Sequence, residues 1–357
     1  MSSEGLDERA ATAVAGSQKF IAGMGEKTLK TVRILIPAPT PEDTFSDNVA
    51  VTLRAMGHAV TTLGEVTHAA YWSLGRRLLR MARSYLAGDR PGAEDRRVLR
   101  LAREFRPDVV LALTGQLHPE TLAELGKHCP GRRVLWWGDA AANSRRWGLL
   151  DPGWDFVYSK DATTVRKLRL AGRNAFLLHE AMNPLWHRPL ARRSNDEIAV
   201  VGNSYAFRQA VAVRLAQSGV SVRCYGGRPP AWSDPRYLAL HAGRYVVREE
   251  KSRVFGEALA CLNTFQLAEG DALNCRAFEI AGAGGLQLIE DRPAVRFCFE
   301  PGKEVIAFST YDELLEAIRW AQRCPAEADA VRQAGARRAL AEHTYQHRLE
   351  TILQNLA

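Results

Sequence analysis

Short runs of apolar, β-branched residues alternate with stretches of helical spacing along nearly the whole chain, in two series broken by one basic, proline-containing segment. That alternation constrains the fold most, because strands separated by helix-length crossovers pair in parallel. The first series opens with residues 32–37 (VRILIP), a compact β-rich run. Residues 46–57 (SDNVAVTLRAMG) follow with helical spacing, Ser46 or Asp47 as cap and Gly57 as stop, and residues 58–63 alternate as a strand. Basic helical stretches at 72–86 and 94–105 lead to a strand at 108–114, a helix at 119–129, a strand at 133–137, a helix at 161–170 and a strand at 175–178.

Residues 183–196 (NPLWHRPLARRSND) read as an interdomain linker, and residues 197–202 (EIAVVG) open a new βα series. Helices are expected at 206–217, 249–257, 274–282 and 311–323, and strands at 221–225, 258–263 and 285–289. The fold class is therefore α/β, with two Rossmann-like, doubly wound domains facing a central cleft. Residues 1–30 have weak periodicity and read as a mobile arm or accessory segment; 31–188 form the first domain and 189–342 the second. Residues 343–357 are expected as a terminal helix crossing back to the first domain.

At 357 residues and 46% hydrophobic content, the chain can bury two cores. No run of about eighteen apolar residues occurs, and the first residues lack a signal-peptide pattern. The cysteines are scattered without a C-x-x-C pair, so neither a zinc site nor a disulfide framework is indicated. A cytoplasmic home is expected. The formal charge of +8 lies in the first half: residues 1–188 carry 27 Lys or Arg against 20 Asp or Glu, the remainder 21 against 20. Such a bias suits nucleic acid, anionic lipid or a phosphorylated acceptor, or is an arginine-rich solvated surface.

The stretch 271–291 (DALNCRAFEIAGAGGLQLIED) carries the most chemistry, as a helix that ends at glycines and runs into a buried strand. A helix N-terminus aimed at a cleft attracts phosphate. Asp271 and Glu279 stand in a D-x7-E arrangement, with Asn274 and Arg276 between them. A carboxylate can chelate ribose hydroxyls, and Arg276 can neutralise a diphosphate; alternatively Arg276 and Glu279 form an i, i+3 surface pair. Residues 202–204 (Gly202, Asn203, Ser204), with Arg208 on the next helix, offer N–H donors and a cation to the same diphosphate, or make an ordinary βα turn.

R-A-F-E-I-A-G-A-G-G, followed by E-P-G-K-E-V at 300–305 and H-T-Y-Q-H-R-L at 343–349, resembles the CgeB family, which looks like GT-B glycosyltransferases. The resemblance runs from about Val32 to the C-terminus and is strongest from Gly243 onward. It implies the GT-B fold, with a nucleotide-sugar domain after an acceptor domain, Glu279 on the donor ribose and Asp271 toward the sugar. Many retaining members have Glu where this sequence has Asp271.

In the first domain, the loop at 37–48 (PAPTPEDTFSDN), including Ser46 and Asp47, is long enough to line the acceptor side. Trp136 and Trp137 precede Gly138 and Asp139 at a strand end, where ligands of α/β sheets bind, and Trp137 would serve as a sugar platform. Asp139 is the leading candidate for a general base, with His118 as the alternative and His179 and Glu180 behind them. Asp139 could equally cap the following helix, and His118 could be a turn residue beside Pro119. The D-x-D metal signature is missing, so donor activation should rest on Arg and helix dipoles without bound metal. Gly282-x-Gly284 precedes a strand where a dinucleotide fingerprint would follow one, which disfavours a dehydrogenase.

The leading expectation is a metal-independent glycosyltransferase moving a sugar from a UDP-, GDP- or dTDP-sugar to a saccharide, glycolipid or protein acceptor. It has no tightly bound cofactor and no nucleic-acid partner. A nucleotide-sugar epimerase and a non-catalytic surface- or spore-assembly module are the alternatives. On the stretch 72–86, Leu74, Leu78, Leu79 and Leu86 share one side of a helix bordered by Arg76, Arg77, Arg80 and Arg83. It either faces the core with its leucines or rests peripherally on the inner face of an anionic membrane.

Overall fold

The computed structural model describes residues 31–67, 90–113, 117–144 and 147–356, with Gly75 alone between the first two spans. The expected arm at 1–30 and, apart from Gly75, the basic stretch 72–86 lie outside the described residues. In the first half, β1 (Arg33–Leu35), β3 (Ala59–Thr61), β5 (Val109–Ala112), β6 (Arg132–Trp137), β7 (Phe156–Ser159) and β8 (Ala175–Leu177) form a sheet of order β3-β1-β5-β6-β7-β8. Its registers are all parallel, for example Leu35 with Val110, Leu111 with Val134 and Trp137 with Ser159. A small pair, β2 (Thr40–Pro41) with β4 (Glu65–Val66), braces the loop after β1.

In the second half, β9 (Ile198–Val201), β10 (Val222–Tyr225), β11 (Ala260–Asn263), β12 (Gln287–Glu290) and β13 (Ile306–Phe308) form a parallel sheet of order β10-β9-β11-β12-β13. Every residue of β5, β9 and β11 is buried. Such strands, covered by helices on both faces, read as unbroken apolar runs. The architecture is α/β, with two parallel sheets covered by helices.

The helices are α1 (Phe45–Ala55), α2 (Ala93–Phe105), α3 (Pro119–His128), α4 (Ala162–Leu170), α5 (Ala206–Gln217) and α6 (Pro235–Leu240). Then come α7 (Arg248–Glu257), α8 (Cys275–Gly282), α9 (Pro293–Cys298), α10 (Tyr311–Arg323), α11 (Pro325–Glu342) and α12 (Tyr345–Leu356). The helix expected to start at a Ser46 or Asp47 cap is instead capped at Thr44, whose extended backbone precedes the first turn, so both residues lie inside α1. Helix α11 packs on α8. Helix α12 buries Tyr345, Leu349 and Ile352 in the core of the first sheet beside Ile34, Val49 and Trp136. Here the two crossing segments meet: Met182 N–H donates to His343 O, and Tyr345 N–H donates to Met182 O.

The residues that follow strands of one sheet touch residues that follow strands of the other. Lys160, directly after β7, pairs with Glu269, in the loop beyond β11. Asp43, beyond β1, pairs with Lys251 on α7. The carboxyl ends of both parallel sheets therefore face each other, the position where open α/β sheets take ligands.

Candidate active site

The corner after β9 is built around Gly202. Its φ of +122° is a conformation that side chains rarely adopt, and a Cβ there would lie 2.1 Å from the Arg276 guanidinium and 3.3 Å from that of Arg208. Only glycine permits both cations to close on the backbone. Arg208, on the first turn of α5, is buried and donates to Asn203 O at 2.6 Å and Thr264 O at 2.8 Å, with its guanidinium carbon 5.0 Å from the Tyr205 ring centre. Burial, and then the neighbouring Arg276, lower its pKa to about 9. Among the described residues no carboxylate forms an ion pair with Arg208 or Arg276. Like charges held this close with no ion-paired carboxylate among the described residues favour an incoming anion, and planar guanidinium groups match phosphate oxygens.

Helix α8 begins at Asn274, whose Oδ1 accepts from Ala277 N–H at 3.1 Å while its amide group exchanges hydrogen bonds with Asn263. The Asn274 side chain is thereby committed to capping, and its contribution to an anion is the orientation of the helix N-terminus. One turn beyond Arg276, Glu279 points into a different cluster. Its Oε2 lies 3.0 Å from Lys251 Nζ and its Oε1 3.8 Å from His187 Nε2. Glu279 was expected to face an open cleft; it is only 4% exposed, because the loop after β1 and the interdomain segment close over it. The expected surface pair with Arg276 does not form among the described contacts.

Lys251 Nζ also lies 2.8 Å from Asp43 Oδ2. Burial would raise the Asp43 pKa, but the Lys251 ammonium and the adjacent His187 ring outweigh it and hold the carboxyl well below the usual range. Burial would likewise lower Lys251, yet Asp43 and Glu279 keep it above the ordinary lysine value. Ligand atoms of Asp43, His187 and Glu279 lie within 4.8 Å of one another, a spacing that suits a metal ion. The ammonium of Lys251 supplies a positive charge at that place, which disfavours a second cation.

A second buried cluster joins Lys160 to Glu180 at 3.6 Å and to Glu269 at 2.5 Å. Burial raises the Glu180 pKa to about 7 against the opposing pull of Lys160. His179, beside it, is lowered to about 4 by burial and then by Arg348 and Lys160.

The remaining sequence candidates distribute unevenly. Trp137 is no sugar platform: it is 1% exposed, donates its indole N–H to Ala140 O and packs with Leu122, Leu135 and Trp154. Trp136 is buried too, because helices cover both faces of β6. Asp139 lies just beyond β6 near Glu180; its oxygens accept from Ala140 N–H and from the Asn143 side-chain amide, and the short helix at Ala141–Asn143 has Ala140, not Asp139, as its N-cap. His118 is the N-cap of α3, accepting from Glu120 N–H through Nδ1, and its backbone N–H donates to Asp95.

Ser46 donates to Pro39 O, and Asp47 accepts from Asp43 N–H and pairs with Arg248 at 2.9 Å. Neither side chain is open to an acceptor. Ser204 is buried against the Tyr237 hydroxyl, Asn203 is exposed, and Asp271 is exposed four residues before α8. Gly202, Arg208 and Arg276 thus come together, with Glu279 one turn away.

Sequence reasoning missed Asp43, Lys251, His187, Lys160 and Glu269. No spacing motif marks them, since Asp43 and Lys251 lie 208 residues apart and meet only when the two sheets face each other. The one available signal was the length of the loop carrying Asp43.

The sequence model of a family described as Glycosyl transferase-like matches residues 184–354. No curated protein matches the sequence. Among solved structures, sucrose-phosphate synthase from Thermosynechococcus elongatus is 14% identical, with 91% of this chain and 98% of that chain covered and a TM-score of 0.61. HepE from Anabaena, solved with UDP-glucose, is 11% identical over 91% and 100% of the two chains, with a TM-score of 0.60. AviGT4, a glycosyltransferase involved in avilamycin A biosynthesis, is 15% identical over 91% and 97%, with a TM-score of 0.56. The likeness to these structures establishes the fold, and the match over residues 184–354 marks the second half of the chain as similar to the family described as Glycosyl transferase-like.

Proposed function

We propose that the chain transfers a sugar from a nucleoside diphosphate sugar to a saccharide, glycolipid or protein acceptor. The second half holds the donor and the first half presents the acceptor. The observation that carries this reading is the pair of guanidinium groups, Arg208 and Arg276, closed on Gly202 with no carboxylate paired to either among the described residues. They would bind the diphosphate and stabilise it as it leaves, the role a metal has in other glycosyl transfers. Glu279 would take the ribose hydroxyls and Asp271 the sugar. Removal of the acceptor proton is assigned to Asp139, with Glu180 beside it. HepE was solved with UDP-glucose, which supports a nucleotide-sugar donor here as well.

The finer likeness to the CgeB family rests on the three sequence motifs at 276–285, 300–305 and 343–349. Among the described residues no helix is long and apolar enough to cross a membrane. We place the protein in the cytoplasm, with contact to an anionic membrane resting on the sequence pattern of 72–86 alone.

A thermal-shift screen against UDP, GDP, dTDP, CMP and NAD tests the reading. A ligand present at about 100 times its dissociation constant stabilises the folded state by roughly 2.7 kcal/mol. A clear shift with at least one nucleoside diphosphate and none with NAD is expected; a response to NAD alone would overturn it.

A further inference from the structure

We propose that Asp43, from the first half of the chain, is a positioning residue for the donor ribose, acting through Lys251 on Glu279. The inference rests on the reading of Glu279 as the ribose carboxylate. Asp43 has a φ of +56°, and Arg248 has a φ of +48°; they are two of the three non-glycine residues of the described chain in the left-handed region. These two strained residues meet, because Arg248 N–H donates to Asp43 Oδ2 at 2.6 Å. Such backbone persists only where surrounding contacts over-determine it, and it gathers at functional sites.

Asp43 is held locally, by its N–H on Asp47 and the Asn48 amide on its Oδ1, and across the junction. Its Oδ2 takes both the Arg248 N–H and the Lys251 ammonium at 2.8 Å, and its Oδ1 lies 3.3 Å from His187 Nε2. His187 Nδ1 accepts from Asn183 N–H, which leaves the ring proton on Nε2, toward the carboxylates. Arg248 is tied to the same loop through Asp47 and Glu42.

Lys251 is therefore shared between a carboxylate of the first half and one of the second. An ammonium paired with Glu279 alone would draw both carboxylate oxygens onto itself and compete with ribose hydroxyls. With Asp43 on its other side, Lys251 meets Glu279 through Oε2, while Oε1 makes no hydrogen bond among the described residues. Oε1 is the oxygen that a ribose hydroxyl would reach. Asp43 thus orients Glu279 through Lys251, although it does not itself touch the nucleotide.

The test compares dissociation constants for UDP and 2′-deoxy-UDP, and for GDP and 2′-deoxy-GDP, in the wild-type protein, Asp43→Asn, Asp43→Glu and Glu279→Gln. The wild type should prefer the ribonucleotide by roughly tenfold or more, the range of a charge-assisted hydrogen bond. Asp43→Asn should bring that ratio close to one while the affinity for the deoxynucleotide stays nearly unchanged, and Asp43→Glu, which keeps the charge, should restore part of it. An unchanged ratio in Asp43→Asn, with only a lower melting temperature, would overturn the proposal, as would an Asp43→Glu protein with no more preference than Asp43→Asn. A ratio that collapses in Glu279→Gln but not in Asp43→Asn removes this inference alone; a ratio that survives in Glu279→Gln removes the ribose assignment itself.

Discussion

Two charged regions lie one turn apart on helix α8 and are built in opposite ways. At Gly202, Arg208 and Arg276 crowd together, and among the described residues Arg208 meets carbonyl oxygens, a hydroxyl and an aromatic ring, with no ion-paired carboxylate. At Glu279, the Lys251 ammonium is matched by two carboxylates and a histidine ring. Buried charge normally survives because it is paired. The paired cluster joins the two halves of the chain, whereas the guanidinium pair is proposed to receive an anion from outside.

The comparison breaks most severely if Lys251 is not the centre of a paired cluster. Lys251→Met would leave Asp43 and Glu279 buried without their cation, and removal of one partner from a buried pair costs about 3–5 kcal/mol. Urea denaturation should report a loss of that size. A loss below about 1 kcal/mol, the range of exposed pairs, would mean that the junction is wet.

The pH dependence of the Lys160 cluster, which likewise sets one lysine against two carboxylates, sharpens the contrast. The Glu180 pKa of about 7 lies above the ordinary 4.5, so the folded state binds this proton more tightly than the unfolded chain does. Its contribution to stability is fully present below pH 4.5 and is lost as pH rises through 7. Glu180→Gln should therefore match the wild type near pH 4.5 and exceed it at pH 8, by roughly 3 kcal/mol from the size of the displacement. Equal stability of the two proteins at both pH values would show that Glu180 ionises freely.

The sequence disclosed the first of the two regions and concealed the second. Gly202 stood at the end of an apolar run with Arg208 on the following helix, and Arg276 stood within a helix that ends at glycines; such local order survives folding. Gly57, expected to stop its helix, has a φ of +85°, and Gly284, past the end of α8, has +73°. Burial of Trp137 was not readable, because strand-end position alone does not say whether helices cover both faces there. The short elements β7, β13, α6 and α9 have too few residues for a period to show. Asp43 and Lys251 belong to no common pattern, since their meeting depends on how two sheets face each other.

The Gly202 corner, with Arg208 and Arg276, is proposed as the anion site for a nucleoside diphosphate. Calorimetric titration with UDP and GDP, alongside the corresponding nucleosides, compares the wild-type protein with Arg276→Gln. Arg276 is half-buried and has no ion pair among the described residues, so its loss should leave the melting temperature nearly unchanged. The account predicts that diphosphate affinity falls roughly tenfold to a hundredfold, the worth of hydrogen bonds to a charged group, while the weak affinity for the nucleoside is unaltered. Unchanged diphosphate affinity in a folded Arg276→Gln protein would contradict it.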